Sequence, residues 1–87
     1  MDKLQLNTDA VSWREVDGEI IALTHASSEY MSTNGTGAIV WKALVAGASR
    51  DELVELLVTA FGVDASRAAA DVDAFVDDLT RRGLLVA

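Results

Sequence analysis

The residues of this chain with chemistry to offer are few: one histidine, no cysteine, and four aspartates crowded between positions 71 and 78. Catalysis needs a nucleophile, a base or a metal site held in fixed mutual geometry. His25 has no cysteine to partner it and no second histidine at ligand spacing, so it reads as the end of a strand rather than as a base. The missing cysteines also remove disulfides, thiolate chemistry and cysteine-based zinc sites. Asp71, Asp73, Asp77 and Asp78 would hold a cation only if they shared a face. At about 100° per residue they spread around a helix, as a solvated surface does. Asn34-Gly35-Thr36-Gly37 has two glycines but no lysine after them, so it is not a phosphate loop. The expectation is a protein with no catalytic residue, no metal and no cofactor.

Charge narrows the partners. Fourteen acids oppose seven bases, and between Asp51 and Asp78 eight acids face one base, Arg67. Such a field repels phosphate backbones and attracts basic partners; it also serves solubility. A DNA-binding helix needs basic residues facing phosphate, and the aspartates of the last helix argue against nucleic acid. A carrier protein needs an Asp-Ser pair at a helix start, and the chain contains none. An acidic protein-interaction module remains the plainest rival reading. With no apolar run of 18 residues and no signal-like N-terminus, neither a membrane span nor export is expected, and a cytoplasmic site is the simplest reading.

The elements that would position these residues follow from pattern. The 87 residues make one domain, 1–87, and just over half are hydrophobic, with no proline. Val11–Val16 and Glu19–His25 read as strands around Asp17-Gly18, a pair suited to a type I′ hairpin turn. After the polar break Ala26-Ser27-Ser28, Glu29–Ser32 reads as a short third strand. Ile39, Val40, Ala43 and Leu44, with Trp41 beside them, give a first helix over Gly37–Ala46 that Gly47 stops. Ser49-Arg50-Asp51-Glu52 matches a capping box, and Leu53, Leu56, Leu57, Ala60 and Phe61 continue at helical spacing to Gly62. Asp64 or Ser66 caps a third helix reaching about Arg82, with Ala68, Val72, Phe75 and Leu79 as its stripe and Gly83 as its stop. Trp41 and Phe61 are expected in the core. The fold class is α+β: a three-stranded antiparallel β-meander followed by three α-helices, winged-helix-like in order.

Asn34, Gly37 and Trp41 form Asn-x-x-Gly-x-x-x-Trp after the strands, and Phe75, Leu79, Gly83 and Leu84 form a late Phe-x-x-x-Leu-x-x-x-Gly-Leu. In this order, over residues 10 to 86, they resemble the PqqD-like family, the leader-peptide recognition elements of ribosomal-peptide biosynthesis. Tyr30 falls where that family often has an aromatic before a Leu-Asn pair, and Thr33 stands in place of the leucine. The resemblance implies a winged-helix-like fold and a leader peptide that adds as a strand to the third strand, in a cleft beside the third helix. It implies an adaptor that presents a precursor to a protease, cyclase or other maturation enzyme. The stretch Asn34-Gly35-Thr36-Gly37-Ala38 and the small acidic chain look most like the stand-alone lasso-peptide branch. There the other half of the leader-processing pair is a cysteine protease, and leaders carry Tyr-x-x-Pro and several basic residues.

Strand addition to an edge uses backbone hydrogen bonds for affinity and side-chain pockets for specificity. The expected peptide-binding residues are therefore Glu29, Tyr30, Met31 and Ser32 on the edge. Tyr30 and Met31 face opposite sides of that strand, and the sequence leaves open which lines the cleft. On the third helix the expected wall is Val72 with the flank Ala69, Asp73 and Val76. The same flank serves equally for packing against the sheet with no ligand.

Overall fold

The computed structural model describes residues 3–86. Strands β1 (Val11–Val16), β2 (Glu19–Thr24) and β3 (Tyr30–Thr33) form one antiparallel sheet in the order β1-β2-β3, followed by helices α1 (Thr36–Ala46), α2 (Arg50–Phe61) and α3 (Ala65–Arg81). The β1–β2 turn has positive φ at both Asp17 and Gly18, as a type I′ hairpin requires. Register puts Trp13, Ala22 and Met31 side by side on one face, and Arg14, Ile21 and Ser32 on the other.

β3 lies one residue further along than its sequence pattern indicates. The Thr24 N–H donates to the Glu29 carbonyl at 2.9 Å and the Thr24 hydroxyl accepts from the Glu29 N–H at 3.2 Å, so Glu29 closes the turn and the strand proper starts at Tyr30.

The helices end where their caps put them. Ser49 and Glu52 complete the capping box, and Asp64, rather than Ser66, caps α3 by accepting from the Arg67 N–H at 2.8 Å. The core gathers Val11, Ile20 and Ala22 from the sheet with Trp41, Leu44, Leu53, Leu57, Ala68, Val72 and Leu79 from the helices. Trp13 meets Trp41 edge-on, ring centroids 6.1 Å apart, a favourable aromatic geometry.

α2 corrects the sequence reading. Its buried stripe is Leu53 and Leu57, while Leu56 and Phe61 are 38% and 44% exposed. Phe61 ends the helix next to Gly62, where the chain turns and leaves the ring partly exposed.

The N-terminal segment, which carries no periodic pattern, ties the fold together. Leu4 bridges Ala48 and Leu6 bridges Leu85, and the Asn7 N–H donates to the Leu84 carbonyl at 2.7 Å. Leu6 is buried as deeply as the helix residues around it.

Candidate functional site

β2 is paired on both sides, so β3 has one edge open among the described residues. In an antiparallel pair the residues alternate between exchanging hydrogen bonds with the partner strand and facing away. The bond from Thr24 to Glu29 fixes the phase: Glu29, Met31 and Thr33 turn their backbone groups to β2, and Tyr30 and Ser32 turn theirs to the open edge. Side chains alternate as well. Met31 and Thr33 are half-buried on the inner face, whereas Ser32 is exposed and Tyr30 is 77% exposed on the outer face. That settles which face of the strand looks toward the helices: the face of Met31, not that of Tyr30.

A cleft of about 340 Å³ opens where β3 runs into α1, lined by Thr33, Asn34, Thr36 and Gly37 on one side and by Asp71, Ala74, Phe75 and Asp78 of α3 on the other, with Val40 and Leu57 also in its wall. At the opposite end of β3, Glu29 and the β2–β3 turn face Arg81 and Arg82 across a second hollow. β3 and α3 therefore run side by side in opposite senses. Gly37 is what allows them to close up at the first end. A Cβ there would run into the Thr33 hydroxyl and lie 3.2 Å from the Phe75 ring. Gly35 begins α1 with φ of 56° and ψ of −123°, a conformation open only to glycine, and no side chain caps the helix. The Asn-Gly-Thr-Gly run thus serves close approach at the cleft mouth.

None of the α3 residues expected to wall a peptide cleft is among those lining this hollow. Val72 is fully buried in the core. Asp73 grips Arg50 of α2 in a two-pronged pair, Nε to Oδ1 at 2.6 Å and Nη2 to Oδ2 at 2.8 Å. This bond holds the Asp73 carboxyl below its ordinary range, chiefly through the hydrogen bond from Arg50 and further through its charge. Ala69 and Val76 lie on the same flank as Asp73 by helical phase, half-buried. The wall that faces β3 is the other flank, Asp71, Ala74, Phe75 and Asp78. Sequence periodicity defines a stripe and its two flanks symmetrically, and only the position of Arg50 breaks the tie. Phe75, read as core, is half-buried and forms part of the cleft surface.

His25 lies outside this cleft. Its Nδ1 is 3.0 Å from the Asp9 carbonyl, which only accepts, so Nδ1 carries the proton. Its Nε2 is 2.7 Å from the Ser12 hydroxyl, so the ring fastens the end of β2 to β1 and the segment before it. No group of three or more His, Cys, Asp or Glu among the described residues is arranged to hold a metal ion, and no helix is long and apolar enough to cross a membrane.

Among solved structures, the chain is similar to TbiB1 in complex with the TbiA(beta) leader peptide, with a TM-score of 0.86 and 24% identity over 95% of each chain. It is similar also to a lasso peptide synthetase B1 complexed with the leader peptide, with a TM-score of 0.83 and 24% identity over 99% of this chain and 100% of that one. No curated protein matches. Identity this low carries the fold alone. The model of coenzyme PQQ synthesis protein D matches residues 19–85, from the second strand to beyond the last helix, and so takes in both sides of the cleft: this chain belongs to the PqqD family.

Proposed function

We propose that the chain is a non-catalytic adaptor that binds the leader of a ribosomally made precursor peptide, of the lasso type, as a fourth strand on β3. It then presents that precursor to a leader-processing cysteine protease and other maturation enzymes. The observation that carries this reading is the open edge of β3 beside a cleft against α3, in a member of the PqqD family whose fold is shared by two proteins described with leader peptides bound. The proposed contacts are the backbones of Tyr30 and Ser32, with Glu29 at the far end. On the inner side they are Met31 and Thr33 facing Ala74 and Phe75.

An added strand would present alternate side chains to the inner and outer faces. Those beside Met31 and Thr33 enter the cleft. Those beside Tyr30 and Ser32 extend the outer face of the sheet. Backbone pairing supplies affinity and the cleft supplies selectivity.

Ser32→Pro tests the reading. The Ser32 N–H faces the open edge, so proline removes a donor offered to a ligand and leaves the β2–β3 ladder intact. Titration with the leader of a lasso-type precursor encoded beside this chain's gene should show affinity reduced about tenfold or more, the loss of roughly one backbone hydrogen bond plus a steric block. The thermal midpoint should hardly move. Undiminished affinity in a folded Ser32→Pro variant would remove β3 as the binding edge.

A further inference from the structure

Of the aspartates along α3, three are already engaged. Asp73 holds Arg50, Asp77 meets Arg81 at 3.6 Å, and Asp78 meets Arg82 at 3.1 Å. Asp71 alone has no ion pair or hydrogen bond among the described residues, and it is half-buried at the wall of the cleft. Around it the surface is amphipathic: Phe75 and Ala74 beside it, Val40 and Leu57 beneath, Thr36 and Asn34 opposite. The start of α1 contributes a partial positive charge of about half a unit, which only in part offsets the aspartate. The far end of β3 differs. There the hollow is lined by Arg81 and Arg82, each ion-paired along α3, with Glu29 opposite. The two ends are separated by the ten residues from Asp71 to Arg81, about 15 Å of helix, or the span of four to five strand residues.

We propose that Asp71 is a specificity-determining residue: for a peptide strand lying antiparallel to β3, it selects a lysine or arginine on the N-terminal side of the bound segment. An antiparallel strand enters at the Thr33 end and leaves at the Glu29 end. Its N-terminal side chains thus reach Asp71 and its C-terminal ones reach the arginines. A basic side chain lays its methylene stem along Phe75 and Ala74 and brings its head to the Asp71 carboxylate. A parallel strand would bring its N-terminal base to Arg81 and Arg82 instead. Antiparallel pairing is also slightly the more stable of the two.

This inference rests on the reading of β3 as a peptide-binding edge, and one experiment separates the two. A displayed library of random 12-residue peptides is selected against the wild-type chain, Asp71→Asn, Asp73→Asn and Ser32→Pro. The wild type should enrich peptides with a base N-terminal to an apolar β-forming centre. Asp71→Asn should lose that bias and keep the apolar centre, and Asp73→Asn should keep both. A synthetic peptide of the wild-type consensus should bind Asp71→Asn about three- to tenfold more weakly, and the difference should shrink in high salt. Moving its base to the C-terminal side should cost the wild type a similar factor. Enrichment that depends on Ser32 but shows no N-terminal base, or a base preference unchanged in Asp71→Asn, overturns the inference and leaves the edge reading standing. Enrichment that survives Ser32→Pro, or none at all, overturns the edge reading and this inference with it.

Discussion

On the flank of α3 that faces α2, Asp73 is clamped by Arg50 while Ala69 and Val76 are half-buried alongside. On the flank that faces β3, Asp71 has no partner among the described residues, Ala74 is exposed and Phe75 is only half-covered. The residue types are similar on both sides: alanine, aspartate and one larger apolar side chain, with a second aspartate, Asp78, on the side of β3. The difference lies in what the rest of the fold brings up to each. α2 reaches the first flank through Arg50, and the second borders the open cleft. An aspartate on a helix is therefore neither structural nor available in itself; its partner decides. The stripe between the flanks belongs to neither, since Val72 and Leu79 are fully buried.

The sharpest way to break this comparison is to charge the stripe itself. Val72→Asp would bury a carboxylate with no partner, at a cost of several kcal/mol against a total stability of about 5–15 kcal/mol for a domain. Circular dichroism should show a chain largely unfolded or melting far below wild type. A well-folded Val72→Asp that has lost only leader binding would mean that Val72 lines the cleft after all.

Tryptophan on each flank should then separate stability from binding. Ala69→Trp must push α3 against its neighbours, an overpacking cost of about 1–3 kcal/mol, with leader affinity unchanged in the folded fraction. Ala74→Trp should change stability by about 0.5 kcal/mol or less, as for an exposed site, and fill the cleft so that leader affinity drops about tenfold. Thermal melts beside peptide titrations read both, and a reversal of the two phenotypes would exchange the flanks.

Gly37→Ala probes the point where the cleft is tightest. Helix propensity favours alanine by up to about 1 kcal/mol, but the new methyl meets Thr33 and Phe75. The steric term should win, with a net loss of about 1–2 kcal/mol and a narrowed cleft mouth. An unchanged melting temperature would show that the Thr33 side chain turns aside.

Much of this was legible from residue order. The Asp17-Gly18 turn, the capping box at Ser49 and Glu52, and the stop at Gly83 are local chemistry, and local chemistry is written in adjacent residues. What was not legible depended on distant partners. Tyr30 and Met31 could not be told apart until the pairing of Met31 with buried Ala22 showed which face of β3 looks inward. Leu56 and Phe61 fit the helical period yet face solvent, because a stripe of five apolar positions is wider than what the neighbouring helices cover. Leu4 and Leu6 are too few for a period, and only the closeness of Ala48 and Leu85 makes them part of the core. The choice between the flanks of α3 belonged to this second kind, resting on a pair 23 residues apart.

That pair offers the smallest and most specific test. The Asp73 carboxyl is held below its ordinary range by Arg50, and the Glu52 carboxyl is held down first by the Ser49 backbone N–H it accepts and then by Lys3 and the Ser49 hydroxyl. A carboxylate whose acidity is greater in the folded chain stabilises the fold above its unfolded value and loses that contribution as pH falls through the folded one. Stability should therefore be level near neutral pH and decline below about pH 4. Asp73→Asn removes one charge of the pair, so its melting temperature should lie slightly below wild type at pH 7. The two should converge as acid protonates Asp73 in the wild type. Both members are half-exposed, so the gap at pH 7 should also narrow with added salt. Glu52→Gln should show a weaker pH signature, because glutamine still accepts the Ser49 N–H in the capping box. Melts of the three chains at pH 7, 5, 4 and 3 supply the comparison. A gap for Asp73→Asn that persists at pH 3 would mean that Arg50 holds α2 to α3 by the packing of its stem rather than by its charge.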